Sequence, residues 1–471
     1  MALTRRRFLT SVCAALASFA PSAKLFARGD DPPNFLLIMA DDLGAKELRC
    51  YGNREHRTPH LDRLAATGVM FKTCWATPMC SPTRAEIMTG RYGFRTGWYH
   101  NNMKFPVGAA GIHLGKSQLI FAELLKGAGY ATAVSGKWQL PGKLPTLCHD
   151  FGFDEYCIWA QVNQLPPGAR YDGPVDIVPG NTSRYWHPCV LRNGKHVSTT
   201  DADYGPDIFC AFVIDFMRRM RDRPFLAYYP MCLTHGPHDP TPDPEHRGGK
   251  TAGGFAACVE YMDVIVGRLV AALDDLGLRE KTVLMFTADN GTAGSGKTQP
   301  TELGARVPLI VNCPGRVRAL GPSEALVDLS DVLPTLAELS GAKIPEGYTI
   351  DGKSFAPVLR GEARSVRKWI FSYIAQYRML RDERWLLERN TIHQFGRLYD
   401  CGDSRDGTGY REVTDSADPE VAATRERFLQ ILAGLPAPDP NDPKVKRALE
   451  RIAAQKRRRQ AISRAKRANR Q

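Results

Sequence analysis

Short apolar runs that end abruptly in charged or amide residues recur along this chain of 471 residues. Four of these runs have the length and composition of buried strands: 35–40, 130–134, 225–229 and 282–286. Patterns typical of helices lie between them, at 119–126, 208–220 and 255–276. Strands that alternate with helices predict an α/β fold, with a large, mainly parallel sheet sandwiched by helices.

The first polar residues with carboxylate or amide side chains after the first and fourth predicted strands are candidate metal ligands. Asp41 and Asp42 follow the first strand, and Asp289 and Asn290 follow the fourth. Parallel sheets bind ligands at the carboxyl ends of their strands, so these side chains are expected to converge. Carboxylate and amide oxygens suit Ca²⁺ or Mg²⁺ better than zinc. Adjacent buried carboxylates repel each other, which also favours a bound cation.

A cysteine opens the segment Cys80-Ser81-Pro82-Thr83-Arg84. Ser81 is suited to cap a helix and Pro82 to occupy its first position, so a helix is predicted to begin here. The backbone N–H groups at a helix start attract anions, and the Arg84 guanidinium one turn along strengthens that attraction. The segment therefore predicts an anion-binding helix start beside a thiol.

This segment, followed by Met88-Thr89-Gly90-Arg91-Tyr92, resembles the signature of the type I sulfatases, the formylglycine-dependent branch of the alkaline phosphatase superfamily. The resemblance extends from Asn34 to about Tyr399, with the family's blocks in the family's order. It implies that a formylglycine-generating enzyme converts Cys80 to formylglycine, whose hydrate is the nucleophile and a metal ligand. Arg84 would hold the oxygens of that hydrate, and calcium would be the bound ion, with magnesium as the alternative.

The resemblance also assigns three further polar residues. Lys137, after the second predicted strand, and Lys297, in a glycine-rich loop, correspond to the two sulfate-binding lysines of the family. His235, shortly after the third strand, corresponds to the histidine that protonates the leaving alcohol, a role that suits a side chain that titrates near neutrality.

One position departs from the family pattern. Where many members have Gly-Lys-Trp-His, this chain has Gly136-Lys137-Trp138-Gln139. In the family that histidine is thought to take a proton when sulfate is released, whereas a glutamine is not a base at neutral pH. Gln139 leaves the predicted nucleophile and metal site intact and puts the base role in doubt.

Residues 1–28 resemble a twin-arginine export signal. Arg5, Arg6 and Arg7 precede an apolar run over 12–20 that is too short to cross a membrane as a stable helix. This pattern predicts transport by the twin-arginine translocase to the periplasm or the exterior. An ordinary secretory signal or a lipid-free membrane anchor is the alternative.

The rest of the chain divides into three predicted parts. Residues 29–346 form the catalytic α/β domain, and 347–435 form a small C-terminal subdomain whose short strand-like pieces predict an antiparallel sheet. Residues 436–471 are a Pro/Asp linker and a basic tail.

The formal net charge of +13 is concentrated at the two ends of the chain. The stretch 444–471 carries 12 Lys and Arg residues against one acid, Glu450, so the body of the chain is nearly neutral. The tail either contacts an anionic polysaccharide or envelope surface or is a solvated, disordered terminus. Nucleic-acid binding is not predicted, because the tail contains no aromatic residue.

Twelve cysteines occur without a Cys-x-x-Cys pair, so no zinc site is predicted and many are expected to be buried thiols. Substrate specificity is expected at the rim of the site, over 159–186 and 238–250. Within the first of these segments, Arg184-Tyr185-Trp186-His187 is a candidate for sugar stacking and hydrogen bonding.

Three functions remain open from the sequence. The first is an exported sulfatase that hydrolyses a sulfate ester, on a sulfated carbohydrate. The second is a phosphodiester or phosphonate monoester hydrolase of the same superfamily, since phosphate and sulfate share tetrahedral geometry. The third is a catalytically inactive, polysaccharide-binding homologue with Cys80 unmodified.

Overall fold

The computed structural model describes residues 31–101, 103–104, 118–142, 144–175, 182–439 and 441–468. The predicted export signal, 1–28, lies outside the described residues. The chain from Pro32 onward forms one compact unit. Within the described part of the chain, no helix combines the length and apolar composition that a membrane span requires.

The strands of the first half of the chain are β1 (Asn34–Ala40), β2 (Val69–Trp75), β3 (Trp98–His100), β4 (Met103–Lys104), β5 (Ala131–Gly136), β6 (Glu155–Trp159), β7 (Val190–Arg192), β8 (Lys195–Val197) and β9 (Phe225–Pro230). The second half adds β10 (Thr282–Ala288), β11 (Arg306–Val307), β12 (Leu309–Asn312), β13 (Gly321–Asp328), β14 (Ile370–Ile374), β15 (Tyr377–Arg381), β16 (Trp385–Asn390), β17 (Arg397–Asp400) and β18 (Arg411–Glu412).

The α-helices are α1 (Pro59–Ala66), α2 (Cys80–Thr89), α3 (Gly93–Thr96), α4 (Phe121–Gly127), α5 (Gly205–Arg219), α6 (Phe255–Asp275), α7 (Glu302–Ala305), α8 (Val332–Ser340), α9 (Ala356–Leu359), α10 (Pro419–Ala433) and α11 (Pro443–Ala468). Helix α6 contacts α1 and α5, and α2, α4 and α8 contact one another. Helices α1, α4 and α5 contact strands of the large sheet.

The large sheet has a parallel centre with antiparallel flanks. Its central order is β10-β1-β9-β5-β6, in which every neighbouring pair is parallel. On one side of this centre, β12 is antiparallel to β10 and β2 is antiparallel to β12. On the other side, β7 is antiparallel to β6 and β8 is antiparallel to β7. Strands covered on both faces are continuous apolar runs, and β1 is buried throughout. The prediction of a mainly parallel sheet sandwiched by helices is confirmed.

The register of the central strands brings their carboxyl ends level with one another. Ala40, the last residue of β1, pairs with Ala288, the last residue of β10. Met39 pairs with Pro230, the last residue of β9. The polar residues after these strands therefore leave the sheet side by side, as the sequence predicted.

A second sheet, β14-β15-β16-β17-β18, is an antiparallel meander. This confirms the small antiparallel sheet, while the domain boundary near 347 stays a prediction. An apolar cluster joins the two sheets, with Trp75 and Leu326 from the large one against Ile370 and Met379 from the small one. The small sheet is thereby held against the end of β2, from which the chain enters α2.

A buried ion pair also joins the two sheets. Arg381, at the end of β15, is fully buried, and its Nη1 donates to Glu302 Oε1 at 2.7 Å and to the Tyr410 hydroxyl at 2.6 Å. Trp75 Nε1 donates to the same carboxylate oxygen at 3.3 Å. Removing one partner of such a pair leaves the other charge buried without compensation.

Arg381→Met is therefore expected to lower the free energy of unfolding by about 3–5 kcal/mol. Adding Glu302→Gln to that variant should recover much of the loss, because no unpaired charge then remains. Arg397→Met is the matched control, since this neighbouring arginine has a side chain that is 56% exposed. Urea unfolding measures all four proteins, and equal losses in the Arg381 and Arg397 variants would contradict the prediction.

Candidate active site

Four loops converge at the carboxyl edge of the parallel strands. The Asp289 N–H donates to the Ala40 carbonyl at 3.0 Å, so the loop after β10 is bonded to the end of β1. The Asp41 N–H donates to the Leu233 carbonyl at 2.8 Å, which bonds that end of β1 to the loop after β9. The Lys137 N–H donates to the Pro230 carbonyl at 2.7 Å, which adds the loop after β5.

Helix α2 brings Cys80 to this same edge. Strand β12 is antiparallel to both β2 and β10, so β2 runs in the direction of β10 and its carboxyl end lies at the same edge. The helix begins at Cys80 itself, and Arg84 follows on its next turn. Gly90, in the left-handed conformation with a φ of 66°, ends the helix.

The expectation that Ser81 caps this helix is wrong. The capping position is Met79, which is extended and gives no side-chain hydrogen bond, and Pro82 is the third helical residue. The Ser81 hydroxyl instead donates to the Gln139 carbonyl at 3.4 Å. Tertiary packing supplies a partner that local sequence does not contain, and it ties the helix start to the loop after β5.

Three cations pair with three carboxylates in the site. Arg84 Nη2 donates to Asp289 Oδ2 at 2.6 Å, and Lys297 Nζ donates to Asp42 Oδ1 at 2.5 Å. The Lys137 ammonium pairs with Asp41. Five of these six residues are buried at 2% exposure or less, and the Lys297 side chain is 16% exposed. The formal charges of the six side chains cancel.

These contacts place the pKa values of the acids far apart. Burial acts to raise the pKa of Asp41, but Lys137 and the other nearby cations outweigh it and hold that pKa well below its ordinary value. Burial and the neighbouring Asp41 charge raise the pKa of Asp289 to about 7, against the opposing effect of Arg84. At Lys297, burial acts to lower the pKa, and the neighbouring Cys80 and Asp42 raise it above its ordinary value.

The residues present fit a divalent cation. Asp41 Oδ1 and Asn290 Oδ1 are buried acceptors that receive no hydrogen bond from the described residues. Asn290 directs its Nδ2 to Asp42 Oδ1 at 2.9 Å and to the Gly291 carbonyl at 2.9 Å, which leaves its oxygen as the unused atom. Asp41, Asp42 and His235 offer ligand atoms that lie within 4.8 Å of one another.

His235 lies at the edge of this acidic group. Its Nδ1 is 2.6 Å from the Gly236 carbonyl, which only accepts, so Nδ1 carries the proton and Nε2 faces Asp42 Oδ2 at 3.7 Å. Burial lowers the pKa of His235 to about 4, so the ring is neutral at pH 7 in this structure. The Tyr185 hydroxyl contacts the His235 carbonyl and lies 3.0 Å from the Cys232 carbonyl, which holds this loop in place.

Gln139 contacts the start of helix α2 through its backbone carbonyl. It has a φ of 44°, a conformation that few residues other than glycine adopt. Its carbonyl accepts the Ser81 hydrogen bond, and its buried Oε1 receives no hydrogen bond from the described residues.

Asn101 is a site residue that the sequence did not reveal. Its Nδ2 lies 3.4 Å from Cys80 Sγ, and its Oδ1 accepts from the Ser81 N–H at 3.2 Å. It sits between β3 and β4, and no motif distinguishes it from any other loop asparagine. Cys80 also packs against Ile374 and Tyr377 of the small sheet, a contact that sequence patterns do not report.

Part of the segment proposed for sugar stacking, 184–187, is buried. Tyr185 is 1% exposed and Arg184 is 3% exposed, with the guanidinium of Arg184 4.1 Å from the ring centre of Trp159. Stacking on Tyr185 is therefore excluded. Trp186 is half-buried, and Lys250 from the other rim segment lies over its ring at 3.5 Å.

Eleven cysteines lie among the described residues, and none of them forms a disulfide. Ten are buried, in agreement with the expected buried thiols. Cys80 is close enough to the carboxylate and lysine cluster to raise the pKa of Lys297, against the opposing effect of burial.

The predicted residues thus lie in one site. Asp41, Asp42, Asp289, Asn290, Arg84, Lys137, Lys297 and His235 are joined by direct contacts, whereas Cys80 and Gln139 are attached through α2 and Ser81.

Comparison with known proteins agrees with this arrangement. The family model described as Sulfatase matches residues 33–342. The chain is 34% identical over 448 residues to steryl-sulfatase of Mus musculus, which covers 75% of this chain and 69% of that protein. It is 32% identical over 365 residues to N-acetylgalactosamine-6-sulfatase of Canis lupus familiaris, covering 71% of this chain and 67% of that protein.

A solved structure, that of Ps i-CgsB, superposes with a TM-score of 0.67 at 25% identity, covering 85% of this chain and 92% of that one. The family model spans both the cysteine helix and the carboxylate loops. The chain therefore belongs to the formylglycine-dependent sulfatase family of the alkaline phosphatase superfamily and is a sulfuric ester hydrolase.

Proposed function

We propose that the protein is an exported sulfatase that hydrolyses sulfate esters of a saccharide, with a nucleophile made from Cys80 and a bound calcium ion. The convergence of Lys137, Lys297 and Arg84 with four oxygen-bearing side chains around the start of α2 carries this proposal. Such a cluster binds a tetrahedral anion and a hard cation at the same time.

The charge balance of the site supports an anionic substrate. The three carboxylates and three cations cancel, so a divalent cation leaves two positive charges in a buried site. Calcium would be held by Asp41, Asp42, Asp289, Asn290 and the residue at position 80, and it supplies Lewis-acid stabilisation of sulfuryl oxygens. A sulfate monoester carries one negative charge and neutralises one of these two charges.

The formylglycine formed from Cys80 supplies, as its hydrate, a hydroxyl nucleophile for sulfur. Cys80 is 1% exposed in the folded chain, so the modifying enzyme has to reach this segment before folding is complete. Asn101 Nδ2, 3.4 Å from Sγ, is placed to donate a hydrogen bond to an oxygen at this position and so to orient it.

Lys137 and Lys297 neutralise developing charge on the sulfate oxygens, and Arg84 anchors Asp289 beside the nucleophile. His235 protonates the leaving alcohol from Nε2. The pKa of about 4 at His235, set by burial, means that the anionic substrate has to raise it before this nitrogen carries a proton. The His235 contact with Asp42 provides an existing partner for that charge.

A saccharide is proposed because one of the two rim segments, 238–250, is polar. The two relatives are named for a steryl sulfate and for an amino-sugar sulfate, so their similar identity does not select between these substrates. The rim segment 238–250 contains no large apolar side chain, whereas a sterol requires an extensive apolar surface. Lys250 and Trp186 at this rim suit a polar ring.

Cys80 is expected to be formylglycine in protein that is co-expressed with a formylglycine-generating enzyme, and peptide mass spectrometry across this position measures the conversion. Cys80→Ala should abolish turnover of aryl sulfate, while Cys157→Ala, a buried cysteine of β6, should retain it. Full activity with an intact thiol at position 80 would refute the assignment.

Faster hydrolysis of an aryl phosphodiester than of an aryl sulfate would favour the phosphodiesterase alternative.

Calcium is expected to stabilise the folded protein by about 3 kcal/mol at a concentration one hundred times its Kd. Asn290 Oδ1, which accepts no hydrogen bond from the described residues, is a proposed ligand. Asn290→Ala should therefore raise the Kd for calcium at least about tenfold and reduce the stabilisation by calcium accordingly. Asn312→Ala removes a buried asparagine that bonds Leu64 and Thr67 instead, and its calcium response should be unchanged. Thermal unfolding with calcium and with magnesium measures both responses, and equal responses in the two variants would exclude Asn290 as a ligand.

Gln139→His is expected to raise kcat about tenfold or more if proton removal limits the release of sulfate, because histidine is a base at pH 7 and glutamine is not. Gln139→Asn is the matched control, since it has a similar size and no basic group. Stopped-flow measurement of an aryl sulfate should also show a burst of alcohol in the parent that disappears in the histidine variant. Identical rates in the two variants would mean that another group takes the proton.

A further inference from the structure

The basic tail is a helix whose first turns are built into the fold. Helix α11 buries Val445 and Ala448 against Ala375, and Leu449 and Ile452 extend the same face. This spacing of three and four residues forms one apolar stripe on a helix. The tail is therefore anchored over its described beginning, and the alternative of a fully disordered terminus does not hold there.

The anchor lies next to the elements that contact Cys80. Ala375, in the turn between β14 and β15, follows Ile374, which packs against Cys80. Its N–H donates to the Tyr99 carbonyl at 2.8 Å, and Tyr99 packs against α11 as well. Asn101, two residues beyond Tyr99, contacts Cys80 Sγ. Two separate hairpins thus connect the basic helix with the nucleophile position.

The outer side of the helix is cationic. Its described and exposed basic residues are Lys444, Lys446, Arg447, Arg451 and Arg457. The sequence continues with Lys456, Arg458 and Arg459, and Glu450 is the only acid from 444 onward. A helix of 26 residues is about 39 Å long, so it provides an extended row of positive charge rather than a single site.

Charge and composition select the partner. A helix that inserts in a membrane surface presents an apolar face with residues such as Trp, Phe or Leu, but the stripe of α11 is already buried against the protein. Beyond Ile452, the only large apolar residue is Ile462. A row of cations beside a sulfatase site instead complements a polymer that carries many sulfate groups.

We propose that α11 is an accessory binding surface for a sulfated polysaccharide, which holds the chain while one of its sulfate esters occupies the site at Cys80. This inference rests on the proposed function for its choice of polymer. It assigns the tail a role in affinity for the polymer and leaves the chemistry to the residues at the carboxyl edge.

The test compares two full-length variants of equal charge. One replaces Lys446, Arg447, Arg451 and Arg457 by Gln. The control replaces the exposed residues Arg218, Arg221, Arg223 and Lys281, which lie before β9 and β10 at the opposite edge of the sheet. Binding to dextran sulfate, unsulfated dextran and phosphatidylglycerol vesicles is measured at several salt concentrations.

The α11 variant is expected to bind dextran sulfate at least about tenfold more weakly, with a smaller dependence on salt, and the control within about twofold of the parent. The ratio of kcat/KM for a sulfated polysaccharide to that for an aryl sulfate should fall by a similar factor. Equal binding by both variants, or vesicles bound more tightly than dextran sulfate, would overturn the proposal. If the α11 variant loses dextran sulfate binding but the parent protein has no sulfatase activity, the proposed function is refuted and the binding surface on α11 is supported.

Discussion

The structure depends on the neutralisation of three carboxylates that are buried at one edge of a parallel sheet. Asp41 and Asp289 directly follow neighbouring strands whose last residues are paired, so their charges are forced together by the hydrogen bonds of the sheet. Buried like charges are unfavourable unless cations accompany them. Arg84 and Lys137 meet that requirement from two other elements, a helix and a third strand end. The same pairing that permits the fold assembles the groups that we propose to bind a sulfuryl anion.

The second sheet completes the site from the other side. Arg381 and Glu302 join it to the large sheet, and the turn between β14 and β15 then lies against Cys80. Cys80, the proposed nucleophile precursor, therefore packs against residues almost 300 positions away in sequence. A side chain held in this way keeps its orientation without relying on a flexible loop, which is what the proposed in-line attack on sulfur requires.

Sequence patterns predicted the parallel sheet, the small antiparallel sheet and most of the site, because strand runs and strand-end residues are local features. Asp41 and Asp289 were identified in this way, since each follows an apolar strand, whereas Lys137 was assigned through the family resemblance. Asn101 was missed because an isolated loop asparagine carries no local signal. The cap expected from Ser81 failed because Gln139 offers a competing acceptor that is 58 residues away.

What the sequence alone determined is the chemistry available: a cysteine motif, oxygen ligands, lysines, a histidine and a glutamine in place of a histidine. Tertiary structure decided how those groups are used. It placed the three cations on the carboxylates and left Asp41 Oδ1 and Asn290 Oδ1 as buried oxygens that receive no hydrogen bond from the described part of the chain. It also lowered the pKa of His235 by burial. The physical reason is that charge pairing and desolvation depend on distances through space, and the contacts that set them join residues far apart in the chain.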